Sequence, residues 1–120
     1  MSVLVTGANG GLGTAVCQAF LDTGASVIGV ARVWKDPAPF ATIAADLSTA
    51  EGCDAMVKQA LERGPIDALA HPVGAFSGGS PVAETSDQTW DGMMNVNLRT
   101  AFCAMRAVLR RFTFIIPSQV

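Results

Sequence analysis

Hydrophobic positions in this chain fall into short runs that alternate with longer amphipathic stretches. Apolar, β-branched runs predict buried strands at residues 2–5, 25–31, 41–45 and 66–70. Between the first two strands, apolar positions recur at helical spacing over residues 11–22, with Gly24 as a stop signal. Strands that alternate with helices in this order are typical of an open, mostly parallel α/β sheet.

Start signals predict two further helices. Ser48-x-x-Glu51 has the form of a capping box and predicts a helix through Arg63, which Gly64-Pro65 ends. A second box, Thr85-x-x-Gln88, predicts a long helix that reaches about Leu109. The glycine- and proline-bearing residues 71–83 before it predict a loop, and residues 112–116 form a last β-prone run.

Composition narrows the class of protein. A 120-residue chain is expected to form one domain, and a chain that is 50% hydrophobic and only 15% charged suits a sheet buried on both faces. The net charge of −2 argues against a nucleic-acid or anionic-membrane partner. No segment reads as a signal peptide or a membrane span, so a cytoplasmic protein is expected.

Cysteine and histidine usage gives no sign of a metal site. The three cysteines, Cys17, Cys53 and Cys103, are far apart and form no CxxC pair, which predicts reduced, packed thiols. With a single histidine in addition, no clustered ligand set is present, and we expect no bound metal.

The richest chemistry lies between the first strand and the first helix, where residues 6–13 read Thr-Gly-Ala-Asn-Gly-Gly-Leu-Gly. A glycine cluster that opens a helix after a short strand is how a nucleotide's pyrophosphate is held. Glycine permits the tight turn, the approach of backbone N–H groups to phosphate and close helix–strand packing. We therefore predict a dinucleotide site here.

The spacing Thr-Gly-x-x-x-Gly-x-Gly, carried by Thr6, Gly7, Gly11 and Gly13, resembles the short-chain dehydrogenase/reductase family. Three other stretches match that family in order, over about residues 2–111. These are Asp46-Leu47, which resembles the pair that contacts adenine, the strand at 66–69, and Asn97-Leu98 in the predicted long helix, whose asparagine belongs to the family's catalytic tetrad.

The resemblance implies a fold and a set of site residues. The fold is an α/β, Rossmann-type doubly wound parallel sheet, truncated to four or five strands with flanking helices; residues 1–111 form the dinucleotide-binding domain and residues 112–120 a divergent tail. Asn97 is the remnant of the catalytic tetrad. The implied cofactor-binding residues are Thr6, Gly7, Asn9, Gly10, Gly11, Leu12, Gly13, Arg32, Asp46, Leu47 and Gly74.

The end of the second strand bears on which nucleotide is bound. Ala31 and Arg32 stand where a carboxylate would accept from a ribose 2′-OH, and a guanidinium there can bind a 2′-phosphate instead. This favours NADP, with NAD as the alternative. The alternative for Arg32 is an ordinary solvated surface arginine.

The chain departs from the family in its catalytic residues. It contains no tyrosine, so the family's Tyr-x-x-x-Lys motif is unmatched. Ser118 comes too soon after Asn97 to match the family's catalytic serine. The turn after the fourth strand reads His71-Pro72-Val73-Gly74 where the family has Asn-Asn-Ala-Gly, and only Gly74 agrees. His71 could act as an acid or base, although a histidine hydrogen-bonded in the turn or lying beside the cofactor is favoured.

Three functions remain open. The first is an oxidoreductase that moves a hydride between NADP and a carbonyl or alcohol, a reaction these 120 residues alone are not expected to complete. The second is a non-catalytic nucleotide-binding module, or one that pairs with a second copy through the apolar residues of helix 86–109. The third is an inactive fragment. Sequence alone names no substrate.

Overall fold

Strands and helices alternate along residues 1–111, the part of the chain that this computed structural model describes. The elements are β1 Ser2–Thr6, α1 Gly11–Asp22, β2 Ser26–Ala31, β3 Ala41–Ala44, α2 Ala50–Leu61, β4 Ala68–Ala70, a 3-10 turn Val82–Glu84, α3 Asp87–Met94, a π turn Asn95–Arg99 and α4 Thr100–Leu109. The predicted strand at 112–116 and the tail 112–120 lie outside the described residues. Within residues 1–111, no helix has both the length and the apolar character needed to cross a membrane.

The four strands form one parallel sheet in the order β3-β2-β1-β4. In the register, Val3 of β1 lies opposite Val27 of β2 on one side and Ala68 of β4 on the other. All four strands therefore end at the same edge of the sheet. The predicted Rossmann-type parallel sheet is confirmed, and in such sheets ligands bind beyond the carboxyl ends of the strands.

Side chains of β1 supply both faces of the core. Leu4 packs on the face covered by α2 and α4, whereas Val3 and Val5 pack on the opposite face against α1. All three are fully buried. Burying each such side chain stabilises the fold by about 1.5–3 kcal/mol. Because both faces are covered, the strand is a continuous apolar run, as the sequence pattern indicates.

The cysteines belong to the same core. Cys17, Cys53 and Cys103 are all buried and unpaired, as their spacing predicts. Burial raises the pKa of the Cys17 thiol, and raises the pKa of Cys53 to about 11. The thiols of Cys17 and Cys53 therefore stay protonated near neutral pH, and both side chains serve as packing groups.

The N-cap of helix α2 lies one residue later than the sequence predicts. Its N-cap is Thr49, whose hydroxyl accepts a hydrogen bond from the Gly52 N–H at 3.0 Å. The Ser48 hydroxyl instead donates to Asp46 Oδ1 at 2.6 Å. The capping assignment to Ser48 was therefore wrong, because the Ser48 hydroxyl is hydrogen-bonded to the Asp46 carboxylate and does not cap the helix.

The predicted long helix is interrupted. Its N-cap is Ser86, whose hydroxyl accepts from the Thr89 N–H at 3.1 Å, so the assignment to Thr85 was also off by one residue. The π turn then separates α3 from α4. A π turn inside a helix is rare and often marks a functional site.

Candidate functional site

The loop between β1 and α1 is held in a tight turn by its own backbone. Gly7 has φ of +60°, a left-handed conformation that favours glycine, and its carbonyl accepts from the Gly10 N–H at 3.0 Å. Gly10 is the N-cap of α1 but supplies no capping side chain, and the first turn of the helix carries no acidic residue. The first N–H groups of α1 are therefore available to an anion, which the helix dipole also attracts.

Two glycines of this loop differ in what they are needed for. A Cβ added at Gly13 would lie 1.9 Å from the Gly7 carbonyl oxygen, far inside contact distance, so the close approach of α1 to the loop requires glycine. A Cβ added at Gly11 would meet nothing within 4 Å. Packing of this chain does not require glycine at position 11.

A cavity of about 580 Å³ opens at the carboxyl edge of the sheet beside this loop. It is bordered by the glycine loop, the ends of β2 and β3, the turn after β4, and the helix segment around the π turn. Every predicted cofactor residue except Thr6 lines it, together with Asn95, Val96 and Thr100, which the sequence did not single out. Thr6 is fully buried.

Arg32 and Asp46 lie on the same wall of this cavity. The Asp46 carboxylate accepts from both the hydroxyl and the backbone N–H of Ser48, and these two bonds hold the pKa of Asp46 below its usual range. The positive charge of Arg32 lowers it further, as a smaller contribution. Arg32 and Asp46 therefore border the same cavity as the first residues of α1.

The Asn9 side chain connects the glycine loop to the segment that carries Arg32. Its amide nitrogen donates to the carbonyl oxygen of Val33 at 2.8 Å. Since Val33 follows Arg32 directly, this bond fixes the distance between the glycine loop and the backbone of Arg32. A further cavity of about 750 Å³ lies next to it, bordered by α1 and residues 32–40.

Asn97, in the π turn, is hydrogen-bonded through its whole amide. Its Oδ1 accepts from the Ala75 N–H at 3.1 Å, and its Nδ2 donates to the carbonyl oxygens of Ala75 and Met93, both at 2.9 Å. A Cβ at Gly74 would lie 2.9 Å from Oδ1, so glycine there lets the amide dock. The side chain of Asn97 holds the π turn against the loop after β4 and has no uncommitted amide hydrogen to give.

His71 stands at the end of β4 between two threonines. Its Nδ1 lies 2.7 Å from Thr6 Oγ1 and its Nε2 lies 3.3 Å from Thr100 Oγ1. Burial lowers the pKa of the imidazole. A hydrogen-bonded histidine in the turn agrees with the favoured interpretation of the sequence, but Thr100 was missed. No signal in one sequence marks Thr100, because it meets His71 only once α4 has packed against the sheet.

Comparison with known proteins agrees with this architecture. The sequence model of the short chain dehydrogenase family matches residues 1–116. The 2-dehydro-3-deoxy-D-gluconate 5-dehydrogenase of Dickeya dadantii is 29% identical over 119 residues, which cover 91% of this chain and 47% of that protein. The chain spans less than half the length of the first curated relatives it matches.

Solved structures share the fold. The ligand-free aldohexose dehydrogenase of Thermoplasma acidophilum superposes with a TM-score of 0.83 at 26% identity, over 91% of this chain and 43% of that one. The NADH-dependent reductase A1-R′, solved with NAD, gives a TM-score of 0.78 at 25% identity, over 91% and 51%. By the extent of the family match, the parallel sheet and the glycine loop, this chain belongs to the short-chain dehydrogenase/reductase family of NAD(P)-dependent oxidoreductases.

Proposed function

We propose that the chain binds NADP, in preference to NAD, in the cavity at the carboxyl edge of the sheet. The observation that carries nucleotide binding is the close contact of α1 with the glycine loop, which glycine at position 13 permits and which brings the uncapped start of the helix to the cavity. The preference for NADP rests on Arg32, which borders the same cavity. A helix start of this kind binds phosphate groups through its backbone N–H groups and its dipole.

Each proposed contact follows from a group that the structure makes available. The N–H groups of residues 11–13 would hold the pyrophosphate, and the exposed guanidinium of Arg32 would bind the 2′-phosphate. Ser48 engages only Oδ1 of Asp46, so Oδ2 can accept from the adenine amino group beside Leu47. The residues present therefore fit an adenosine-containing dinucleotide.

The reaction class comes from the family and from the relatives. The Dickeya dadantii relative is a dehydrogenase, and the A1-R′ neighbour is an NADH-dependent reductase. We propose that the chain contributes the nucleotide-binding part of an oxidoreductase acting on a carbonyl or an alcohol. The nucleotide would supply or accept the hydride, while this chain's residues bind and orient it.

These 120 residues alone are proposed to bind nucleotide without completing the reaction. Reduction of a carbonyl needs a group that delivers a proton to the forming alkoxide, and the chain has no tyrosine. The Asn97 amide is committed to Ala75 and Met93, and His71 does not line the cavity. The alternative is a chain with a binding role only.

We also propose that the chain pairs with a second copy through α3 and α4, which carry a row of exposed apolar side chains at helical spacing. The row consists of Trp90, Met94, Leu98, Phe102, Met105 and Leu109. Trp90 is 62% exposed and Leu98 57% exposed, which is unusual for a side chain that packs in the core of one subunit. Sedimentation analysis should show a dimer that Leu98→Glu converts to monomer; a wild-type monomer would refute the pairing.

Calorimetric titration of the chain with NADPH and with NADH tests the nucleotide proposal. A charge-assisted hydrogen bond contributes about 1.5–3 kcal/mol, so Arg32→Ala should weaken NADPH binding by roughly tenfold or more. NADH binding should be unchanged. Arg63→Ala is the matched control, since it removes the same charge from the end of α2, away from the cavity.

The outcomes separate the parts of the proposal. Equal losses for both nucleotides in Arg32→Ala would contradict recognition of the 2′-phosphate. No binding of either nucleotide by a chain that melts cooperatively would contradict the binding site itself.

A further inference from the structure

The imidazole of His71 bridges two elements of the candidate site. Thr6, which it meets through Nδ1, is the last residue of β1 and directly precedes Gly7 of the glycine loop. Thr100, which it meets through Nε2, is the first residue of α4 and directly follows the π turn that carries Asn97. One side chain thus touches both the start of the phosphate loop and the end of the Asn97 segment.

The hydrogen bonds of the Thr100 hydroxyl determine which nitrogen of the His71 ring carries the hydrogen. The Thr100 hydroxyl donates to the Val96 carbonyl oxygen at 2.8 Å. Because a hydroxyl has only one hydrogen, Thr100 Oγ1 must accept from His71, so the hydrogen of the neutral ring is on Nε2. Nδ1 then carries a lone pair and accepts from the Thr6 hydroxyl. All three groups are satisfied only in this tautomer.

We propose that His71, as the neutral Nε2–H imidazole, is a positioning residue that fastens the Asn97 segment to the glycine loop, and that protonation at Nδ1 breaks this link. A proton on Nδ1 would face the Thr6 hydroxyl, which would have to turn its own hydrogen away. Thr6 is fully buried, so that hydrogen would have to find another acceptor inside the protein.

The surroundings of the ring favour the neutral form. The strands packed against it, β1 and β4, contain no ionisable side chain. On the helical side the ionisable residues are Arg99 in the π turn, and Cys103 and Arg106 in α4. Burial, rather than any of these charges, is what lowers the pKa of His71.

A consequence for binding rests on the proposed function. If nucleotide is held between the glycine loop and the helical segment, breaking the His71 link at acid pH should weaken nucleotide binding. One net hydrogen bond corresponds to roughly a two- to tenfold change in affinity, and we expect a loss of that size as the pH falls from 7.5 through the lowered pKa of His71. His71→Gln should flatten this dependence, because an amide can accept from Thr6 and donate to Thr100 but does not titrate.

The direct test is the imidazole nitrogen spectrum of the full 120-residue chain, in which His71 is the only histidine and gives the only signal. At pH 7.5 we expect a pyrrole-like Nε2 and a pyridine-like Nδ1, with titration below the ordinary pKa. In Thr100→Val, Nε2–H loses its acceptor and the ring should move toward a mixture of tautomers. Thr42→Val, which removes a hydroxyl from β3, should leave the spectrum unchanged.

Averaged nitrogen shifts in the wild type, a dominant Nδ1–H form, or an unchanged spectrum in Thr100→Val would each overturn the assignment. These results are independent of nucleotide. If the spectrum is as expected but neither nucleotide binds at any pH, the link stands and the proposed function fails. If nucleotide binds but the ring behaves as a free imidazole, the function stands and the link fails.

Discussion

The substitution Gly11→Ala separates the requirements of folding from those of nucleotide binding. Gly11 is the first residue of α1, its φ is not positive, and an added Cβ meets nothing within 4 Å. Replacing glycine by alanine at a compatible position stabilises a protein by about 0.4–1 kcal/mol, chiefly by restricting the unfolded chain. For a domain of this size we expect the melting temperature to rise by roughly 2–6 °C.

Nucleotide affinity should change in the opposite direction. Gly11 lines the cavity, and its backbone N–H is one of those proposed to contact the pyrophosphate. A methyl group placed between backbone and phosphate overpacks the site, at a cost of about 1–3 kcal/mol. That corresponds to a loss of roughly five- to 150-fold in NADPH affinity.

The assay pairs thermal melting with calorimetric titration on three variants. Gly13→Ala should lose stability, since its Cβ would lie 1.9 Å from the Gly7 carbonyl oxygen. Ala19→Gly, an exposed site on the same helix that does not border the cavity, should lose about 0.5–1 kcal/mol of stability and keep its affinity. Gly11→Ala with wild-type NADPH affinity would refute the placement of the pyrophosphate, and a lower melting temperature would refute the steric reasoning.

Three other outcomes follow from the structure. Leu4→Ala, at a fully buried position, should lower the free energy of unfolding in urea by about 2–5 kcal/mol, whereas Leu61→Ala, at a partly exposed one, should lower it far less. Similar losses in the two variants would contradict the placement of Leu4 in the core. Asn97→Ala removes three hydrogen bonds to backbone groups, so we expect a loss of about 2–3 kcal/mol and faster hydrogen exchange at the Ala75 amide, and unchanged exchange would contradict the contact. Because burial lowers the pKa of His71 in the folded state, the neutral ring contributes its full stability above pH 6.5, and this contribution is lost as the pH falls from there toward the folded pKa. His71→Gln should remove this decline in stability, and a decline of the same size in that variant would contradict the assignment to His71.

Local constraints explain why much of the fold could be predicted. Parallel strands are buried on both faces, so β1 and β2 appear in the sequence as continuous apolar runs. The glycine loop is equally local, because the left-handed φ of Gly7 and the contact between Gly13 and Gly7 involve residues only six apart. Such features leave their requirements in the residue types themselves.

Non-local contacts explain what the sequence could not supply. The π turn forms where Asn97 meets Ala75, 22 positions away, and a helical pattern does not reveal such a partner. The contact of His71 with Thr100 depends likewise on how α4 packs against the sheet. At α2, two adjacent residues were suitable caps, and the choice of Thr49 was decided by the bond of Ser48 to Asp46.

The measurement that tests the central claim most directly is an amide nitrogen–proton NMR titration of the 120-residue chain with NADP⁺. The account predicts saturable shifts concentrated at the amides of residues 10–13, Arg32 and Leu47, which border one cavity. The amides at the far ends of the strands, near Ser26 and Asp67, should not move. Saturable shifts centred elsewhere, or none in a folded chain, would contradict nucleotide binding at the glycine loop.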